Sequence, residues 1–406
     1  MKFDIFFSIC QTPVQGYTPS EKTMFQNFFE QVVLADELGY TTAWVAETHL
    51  SCQVQKGNSG AVVPHFEGEI GLNTDILQLA HLVFSKTKQI HIGSAIRNIL
   101  CNGGPIAHAE AIRTFMTLHE LHDNASRRLR IGFASGRFPF SNIPYGIKPR
   151  DELEKILWPI LRGRIFAQAT EIFLRLLKGE HLGSSMIEDR GEVKATDFRD
   201  PQDWKKVEEH LGKSVDKVHI PSFYDFEPVG VIPFEAPMER LDLLLGSSDR
   251  TVIKLANQFL PVAAFNLSIT PPPMLEKMHE MMREVYHADG GPWLREYMPR
   301  TVLCFVNDDE GASLEQKRER ANHKAQMANE NYWKAIEGTL DPAKVANATK
   351  NALVGTAEDV VEQIQERFHP KDRLMLWFDF NNHDNEDVMK QMRIFSEKVI
   401  PEVSHD

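Results

Sequence analysis

What most limits the fold of this chain is a repeating change of period: short apolar runs alternate with amphipathic stretches of helical spacing. Lys2 to Ile9 is a compact aromatic run suited to a buried strand. Thr18-Pro19-Ser20-Glu21 then supplies an N-cap, a proline at the first helical position and an acid at the third. Phe25, Phe28, Phe29, Val32, Val33 and Leu38 keep helical spacing until Gly39 stops it. Thr41 to Ala46 reads as the next strand. The unit recurs with a helix over Asp75–Phe84, a strand over Ile90–Ala95, a helix from Pro105 whose inward stripe ends at Leu121, and a strand over Leu129–Ala134. Later strands fall at Leu241–Leu245, Val262–Phe265, Thr301–Val306 and Leu374–Phe380, with helices from near Ser248 and over Pro271–Tyr286.

Parallel strands need a crossover helix between them, and about eight such units close a barrel. An open doubly wound sheet is the alternative, but it carries a GxGxxG turn after the first strand, and none stands there. The expectation is therefore an α/β protein, a (β/α)8 TIM barrel with insertions, forming a single domain over residues 1–406. One insertion, around 182–240, is charged to residue 219 and then spaced by Pro221, Pro228, Pro233 and Pro237. Those prolines exclude a helix interior or central strand, and the segment is expected to cap one barrel mouth. The other is an extended charged helix around 313–336.

Composition removes whole classes of function. Lys+Arg 45 against Asp+Glu 57 leaves a net charge of −12, which argues against nucleic acid as partner. No apolar run approaches the roughly 20 residues a bilayer requires. The opening MKFDIFFSICQTP reads as a strand rather than a secretory signal, so a cytoplasmic location is expected. Cys10, Cys52, Cys101 and Cys304 form no CxxC pair, and there is no HxH or HExxH, so no metal is expected. His108, His119 and His122 share one helix and are expected at its surface or at an interface.

In a barrel of this kind the chemistry gathers at the carboxyl ends of the strands. The residues there are Cys10 after the first strand; Glu47 and His49 after the second; Ala95, Ile96 and Asn98 on the third; Ser135, Gly136, Arg137 and Phe138 after the fourth; Gly246, Ser247 and Ser248 after Leu245; and Phe378 and Asp379 on the last. His49 has the side chain best suited to general acid–base work near neutrality. Gly246-Ser247-Ser248 offers hydroxyls and free N–H groups to a phosphate, unless Ser248 simply caps the following helix. Ser135-Gly136 lets a planar ligand near the backbone with Arg137 beside its phosphate; a plain turn with an exposed arginine is the alternative. Trp333 and Phe378 are candidates for lining an apolar pocket.

Taken in order, these motifs resemble the bacterial luciferase-like flavin-dependent monooxygenases. Leu34-Ala35-Asp36-Glu37-Leu38-Gly39-Tyr40 through Trp44 to Glu47-Thr48-His49 is similar to that family's A-x-x-x-G-[FY]-x-x-x-W-x-x-E-H-H element. Ile92-Gly93-Ser94-Ala95-Ile96, Pro105, Ala109-Glu110, Arg130-Ile131-Gly132, Leu245-Gly246-Ser247-Ser248 and Val354-Gly355-Thr356-Ala357-Glu358 follow in the family's sequence. The resemblance implies reduced FMN supplied by a separate flavin reductase, O2 as co-substrate, a flavin hydroperoxide, and a small apolar substrate such as an aldehyde, ketone or alkane. It implies Ser247 at the phosphate, a non-prolyl cis bond at Ala95–Ile96 under the ring, and a pocket lined by Glu47, His49, Asn98, Phe138, Trp333 and Asp379. It also implies a homodimer through the helices at Ile106–Leu121 and Asp75–Phe84. Thr48 stands where the family has the first of two histidines, and Ser135 where it has an arginine, so light emission is not expected. A deazaflavin-dependent oxidoreductase or a non-catalytic flavin-binding subunit are the alternatives.

Overall fold

The computed structural model describes residues 1–51, 71–122, 126–136, 138–266, 270–336 and 350–403, with side chains throughout except at 333–336. Strands β1 (Lys2–Phe7), β2 (Thr42–Val45), β3 (His91–Asn98) and β4 (Leu129–Ala134) lie side by side, all parallel. The short strands β5 (Glu192–Lys194) and β6 (Lys217–His219) pair with each other antiparallel, outside the main sheet. Strands β7 (Leu241–Leu245), β8 (Val262–Ala264), β9 (Pro299–Val306), β10 (Leu353–Gly355) and β11 (Arg373–Trp377) complete a nine-stranded parallel sheet in the order β10-β9-β11-β1-β2-β3-β4-β7-β8. The sheet curls until Asn266, just past β8, bridges Arg300 on β9, with Asn266 N donating to Pro299 O at 3.2 Å and Thr301 N to Asn266 O at 3.1 Å. The curled α/β barrel expected from the alternation is what forms.

Helices α1 (Glu21–Glu37), α2 (Ile76–Lys86), α3 (Gly104–His119), α4 (Pro139–Asn142) and α5 (Glu152–Leu177) follow the early strands. Helix α6 (Pro201–Leu211) belongs to the insertion. Helices α7 (Arg250–Ala256), α8 (Pro272–Val285), α9 (Leu314–Ile336), α10 (Ala357–Arg367) and α11 (Asn385–Ile394) complete the wrap. The cap of α1 is Ser20, whose hydroxyl accepts from Thr23 N at 3.1 Å, two residues later than the proline motif suggests. Asp36, near the end of α1, is buried and accepts three N–H bonds, from Lys88, Gln89 and Ile90, each at 2.7 Å. That carboxylate fixes where β3 begins. The first strand stops at Phe7 rather than Ile9 because Ile9 takes a left-handed backbone, φ 43°.

Strand alternation sorts the side chains into two cores. Phe6, Trp44, Leu244, Ala263, Phe265 and Met375 point inward and fill the barrel. Phe3, Ile5, Phe7, Ala43, Val45, Leu374, Leu376 and Phe378 point outward beneath the helices. Asp4 is held on the inner face by one neutral and one charged donor: Trp44 Nε1 donates to it at 2.8 Å, and Arg373 Nη1 to its other oxygen at 2.8 Å.

The insertion does not close a mouth as expected. Val193, Trp204, Val207 and Ile220 bury on the flank. Arg164–Asp197 and Arg190–Glu171 pairs tie the segment to α5, and Arg113 of α3 donates to Pro233 O and Phe234 O. Only its end, Met238 and Glu239, reaches the amino-terminal mouth. Apolar residues spread through its proline-rich part, so its burial comes from the sides of helices already in place. Among the described residues no helix is long and apolar enough to cross a membrane.

Candidate active site at the carboxyl ends of the strands

The third strand is irregular where the site would be. Its register against β4 jumps between Ser94 and Arg97, and the Ala95–Ile96 peptide is cis. The neighbouring strands make room with glycine. A Cβ on Gly132 would stand 2.5 Å from Ser94 O, and one on Gly246 would stand 2.4 Å from Ile96 Cδ1. Ala95, Ile96, Ala134 and Gly246 therefore form a low floor across three adjacent strand ends, free of bulky polar side chains.

Behind that floor lies a buried polar network. Glu47 accepts from Ser94 Oγ at 2.9 Å, meets Arg97 Nη1 at 3.3 Å and pairs with His49 Nε2 at 3.2 Å. Arg97 Nε donates to His108 Nδ1 at 2.8 Å, and the other His108 nitrogen meets Cys101 O at 3.0 Å. Burial, then the adjacent Arg97 charge, push the His108 pKa down to about 3, so the ring is neutral and takes one proton, on Nε2. Because β-strand side chains alternate, Ser94 and Glu47 face the layer between sheet and helices, while Ala46 and Ala95 face the barrel. Glu47 is thus a support for His49 and the bulge, not a lumen residue. The sequence reading assigns no role in the site to Ser94 or Arg97 and expects His108 at a surface or an interface. The available signal was an arginine inside an otherwise apolar strand, which demands a buried acid.

Asn98 is also a support. Its amide donates to Asn142 Oδ1 at 2.6 Å and Ser141 Oγ at 3.2 Å, and its oxygen accepts from Leu100 N at 3.0 Å. Gly136, φ 75°, passes so close that a Cβ would lie 2.2 Å from Asn98 Nδ2. Asn142 Nδ2 donates back to Ser135 O at 2.9 Å, which fixes the turn after β4. Phe138 stacks on Phe140 at 5.1 Å. Arg137 lies outside the described residues, as do Cys52 and the side chain of Trp333.

At Gly246-Ser247-Ser248 the cap of α7 is Asp249, not Ser248: its carboxylate accepts from Thr251 N at 2.8 Å. Ser247 Oγ accepts from Asp249 N at 3.1 Å and is half-buried, and Ser248 is exposed. Aspartate outcompetes serine here because its charge faces the positive helix end.

Across the mouth, Asp379 accepts from Ser8 N at 2.8 Å and Ser8 Oγ at 3.2 Å, and Trp377 Nε1 donates to the same hydroxyl at 2.7 Å. Burial lifts the Asp379 pKa to about 6, although the Ser8 bonds oppose the rise. Burial also raises the Cys10 thiol, whose sulfur accepts from Thr12 Oγ1 at 3.5 Å. Phe378 is not with them. It is buried outside the barrel between Tyr40 and Phe395, because it falls on the outward parity of its strand. Trp377, packed on Phe6 at 4.5 Å and Phe380 at 4.8 Å, is the aromatic on the pocket side. His108 and His119 are buried rather than superficial, His119 lying over Phe84 at 4.6 Å. Among the described residues no group of three or more His, Cys, Asp or Glu side chains is placed to hold a metal ion.

Comparison with known proteins adds a likeness over the first part of the chain. Residues 1–185 match the model described as luciferase-like monooxygenase. A monooxygenase from Streptomyces bottropensis, RslO1, superposes with TM-score 0.66 at 18% identity, covering 99% of both chains. The oxygenating constituent of 3,6-diketocamphane monooxygenase from Pseudomonas putida, solved with FMN, gives 0.57 at 14% identity over 99% of this chain and 98% of its own. An F420-dependent secondary alcohol dehydrogenase gives 0.55 at 15% identity over 100% and 99%. At such identities these likenesses speak for the shared fold. The match to the family's model runs over residues 1–185, which include β1 to β4 and both halves of the buried Glu47 network, so that part of the chain is similar to the luciferase-like monooxygenases.

Proposed function

We propose that the chain is a flavin-dependent monooxygenase that takes reduced FMN from a separate reductase and, with O2, oxidises a small apolar substrate. The observation that carries this reading is the low floor formed by Ala95, Ile96, Ala134 and Gly246, kept clear by glycines at 132 and 246. A planar ring fits there; a bulkier floor would exclude it. When bound, reduced flavin supplies the two electrons that activate O2. The chain's own residues orient it and keep water away. Ser247 meets the phosphate with Arg137, and Asn98 holds the 135–142 turn against the ring's edge. Phe6, Trp377 and Phe380 give the apolar wall, while Cys10, Trp333 and Asp379 border the substrate. His49, held by Glu47, is the proton-transfer group.

A deazaflavin reading is the second, because the same floor accepts that ring and an F420-dependent secondary alcohol dehydrogenase is among the chain's structural likenesses. Anaerobic titration with reduced FMN, followed by oxygen uptake with a substrate panel, separates the two. Tight FMN binding and substrate-dependent oxygen consumption by the lone chain are expected. Hydride transfer without oxygen uptake would select the deazaflavin instead. Ser247→Ala with Arg137→Ala should weaken FMN by about tenfold or more; an unchanged Kd refutes the phosphate assignment.

A further inference from the structure

The opposite end of the barrel holds a cavity of about 710 Å3. Barrels of this class are ordinarily filled at that end by layers of side chains. Here the floor is charged. Three guanidinium groups, Arg128, Arg130 and Arg373, face two buried or half-buried carboxylates, Asp4 and Asp242. Arg373 is committed to Asp4 and to Glu296 O, each at 2.8 Å. Arg128 takes both oxygens of Asp242, at 2.8 and 2.6 Å, and also reaches Glu239 O. Arg130 is left over. Its Nε lies 3.3 Å from an Asp242 oxygen that Arg128 already holds, and that buried atom has no hydrogen-bond partner. His91, beside them, adds no charge near neutrality, since burial and Arg130 push its pKa down to about 4. Of the other charges on the lining, Glu239, Asp289 and Lys178 are exposed, where screening blunts them, and the half-buried Glu296 is met by Lys2 at 3.8 Å.

One uncompensated positive charge therefore sits at the base of a cavity whose other walls are apolar or aromatic. Leu244, Leu260 and Ala263 form one side. Tyr286 and Tyr297, ring centroids 5.6 Å apart, form the other. We propose that this amino-terminal mouth is a binding site for a small aromatic monocarboxylate, its carboxylate on Arg130 and its ring against Tyr286 and Tyr297. A single excess charge matches a monoanion better than a phosphate dianion, and a planar carboxylate suits the guanidinium fork. The aromatic walls supply the rest of the affinity. The site is separate from the flavin floor and stands whether or not that reading holds.

Calorimetric titration of the full chain with benzoate, benzamide and inorganic phosphate tests it. Saturable binding of benzoate, with benzamide and phosphate at least about tenfold weaker, is expected from the charge-assisted contact. Arg130→Gln should weaken benzoate by about tenfold or more with the melting transition still cooperative. Because Arg130→Gln risks the fold, Leu260→Trp, which fills the cavity from its half-exposed wall, is the second arm and should abolish benzoate binding. Equal binding of benzamide, preference for phosphate, or benzoate affinity untouched by Leu260→Trp each overturn the proposal.

Discussion

A carboxylate without solvent must have its charge met, and two residues of this chain show the two ways of doing so. Glu47 meets it with Arg97, Ser94 and His49. Glu47→Gln removes the partner of a buried guanidinium and should cost about 3 kcal/mol in denaturant unfolding. His49→Ala, which removes no buried charge partner of Arg97, should lower kcat by about a hundredfold with little change in flavin Kd; equal losses in both would make His49 structural. Asp379 has hydrogen bonds but no cation in contact among the described residues, and its pKa rises to about 6. A raised carboxyl pKa means the folded chain holds its proton more tightly than the unfolded chain. Stability from this group is present below about pH 3.8 and is lost as pH climbs to about 6. Asp379→Asn should therefore raise the unfolding free energy at pH 8, by up to about 3 kcal/mol, and leave it nearly unchanged at pH 3.5. A gain of the same size at both would show that the carboxylate's ionisation is irrelevant.

At the scale of elements, the bulge of β3 depends on its neighbours' missing side chains. Gly132→Ala places a methyl 2.5 Å from the Ser94 carbonyl, a backbone atom that cannot swing away. The expected result is a stable but shifted strand, costing about 1–3 kcal/mol, with flavin affinity falling at least in proportion. Retained affinity would detach the bulge from cofactor binding. The start of β3 is set instead by Asp36, whose carboxylate ties helix α1 to the turn at Lys88–Ile90. Asp36→Ala leaves three N–H groups unserved and should cost about 3–5 kcal/mol in urea unfolding.

For the whole molecule, acid is the telling variable. His91, His108 and His279 have pKa values pushed down by burial, to about 4, about 3 and about 4. Each binds its proton more readily when the chain unfolds. Their contribution is complete above about pH 6.5 and fades as pH falls toward 4. Between pH 6 and 4.5 the transition should drop with a slope of at least about two protons, once Asp379 is subtracted, since His81, His119 and His383 are lowered as well; a flat profile there would contradict burial of these rings. The outer surface of α2 and α3 is the other large-scale feature. Leu82, Leu118 and Leu121 are 52%, 46% and 80% exposed on it. We propose a dimer contact there, on which Leu118→Asp should convert a dimeric mass in light scattering to a monomeric one; a monomeric mass for the unaltered chain would refute it.

Reading residues in order was enough for the alternation of strand and helix, hence the parallel curled sheet, and for the stations along it where polar residues leave the strands. Period and spacing are local properties, and local sequence carries them. Which face a residue takes is another matter. Phe378 sits one position from Trp377, and that single step separates the outer layer from the barrel. Two of the three partners of Glu47, Ser94 and Arg97, lie 47 and 50 residues away, and no local pattern links them. The helix cap falls on Asp249 rather than Ser248, because the carboxylate faces the positive helix end while either residue type can cap. The charge imbalance at Arg130 exists only because strands distant in sequence converge on one mouth. Sequence fixed the repeating unit; closure of the barrel decided which side chains share a dielectric, and therefore which of them carry chemistry.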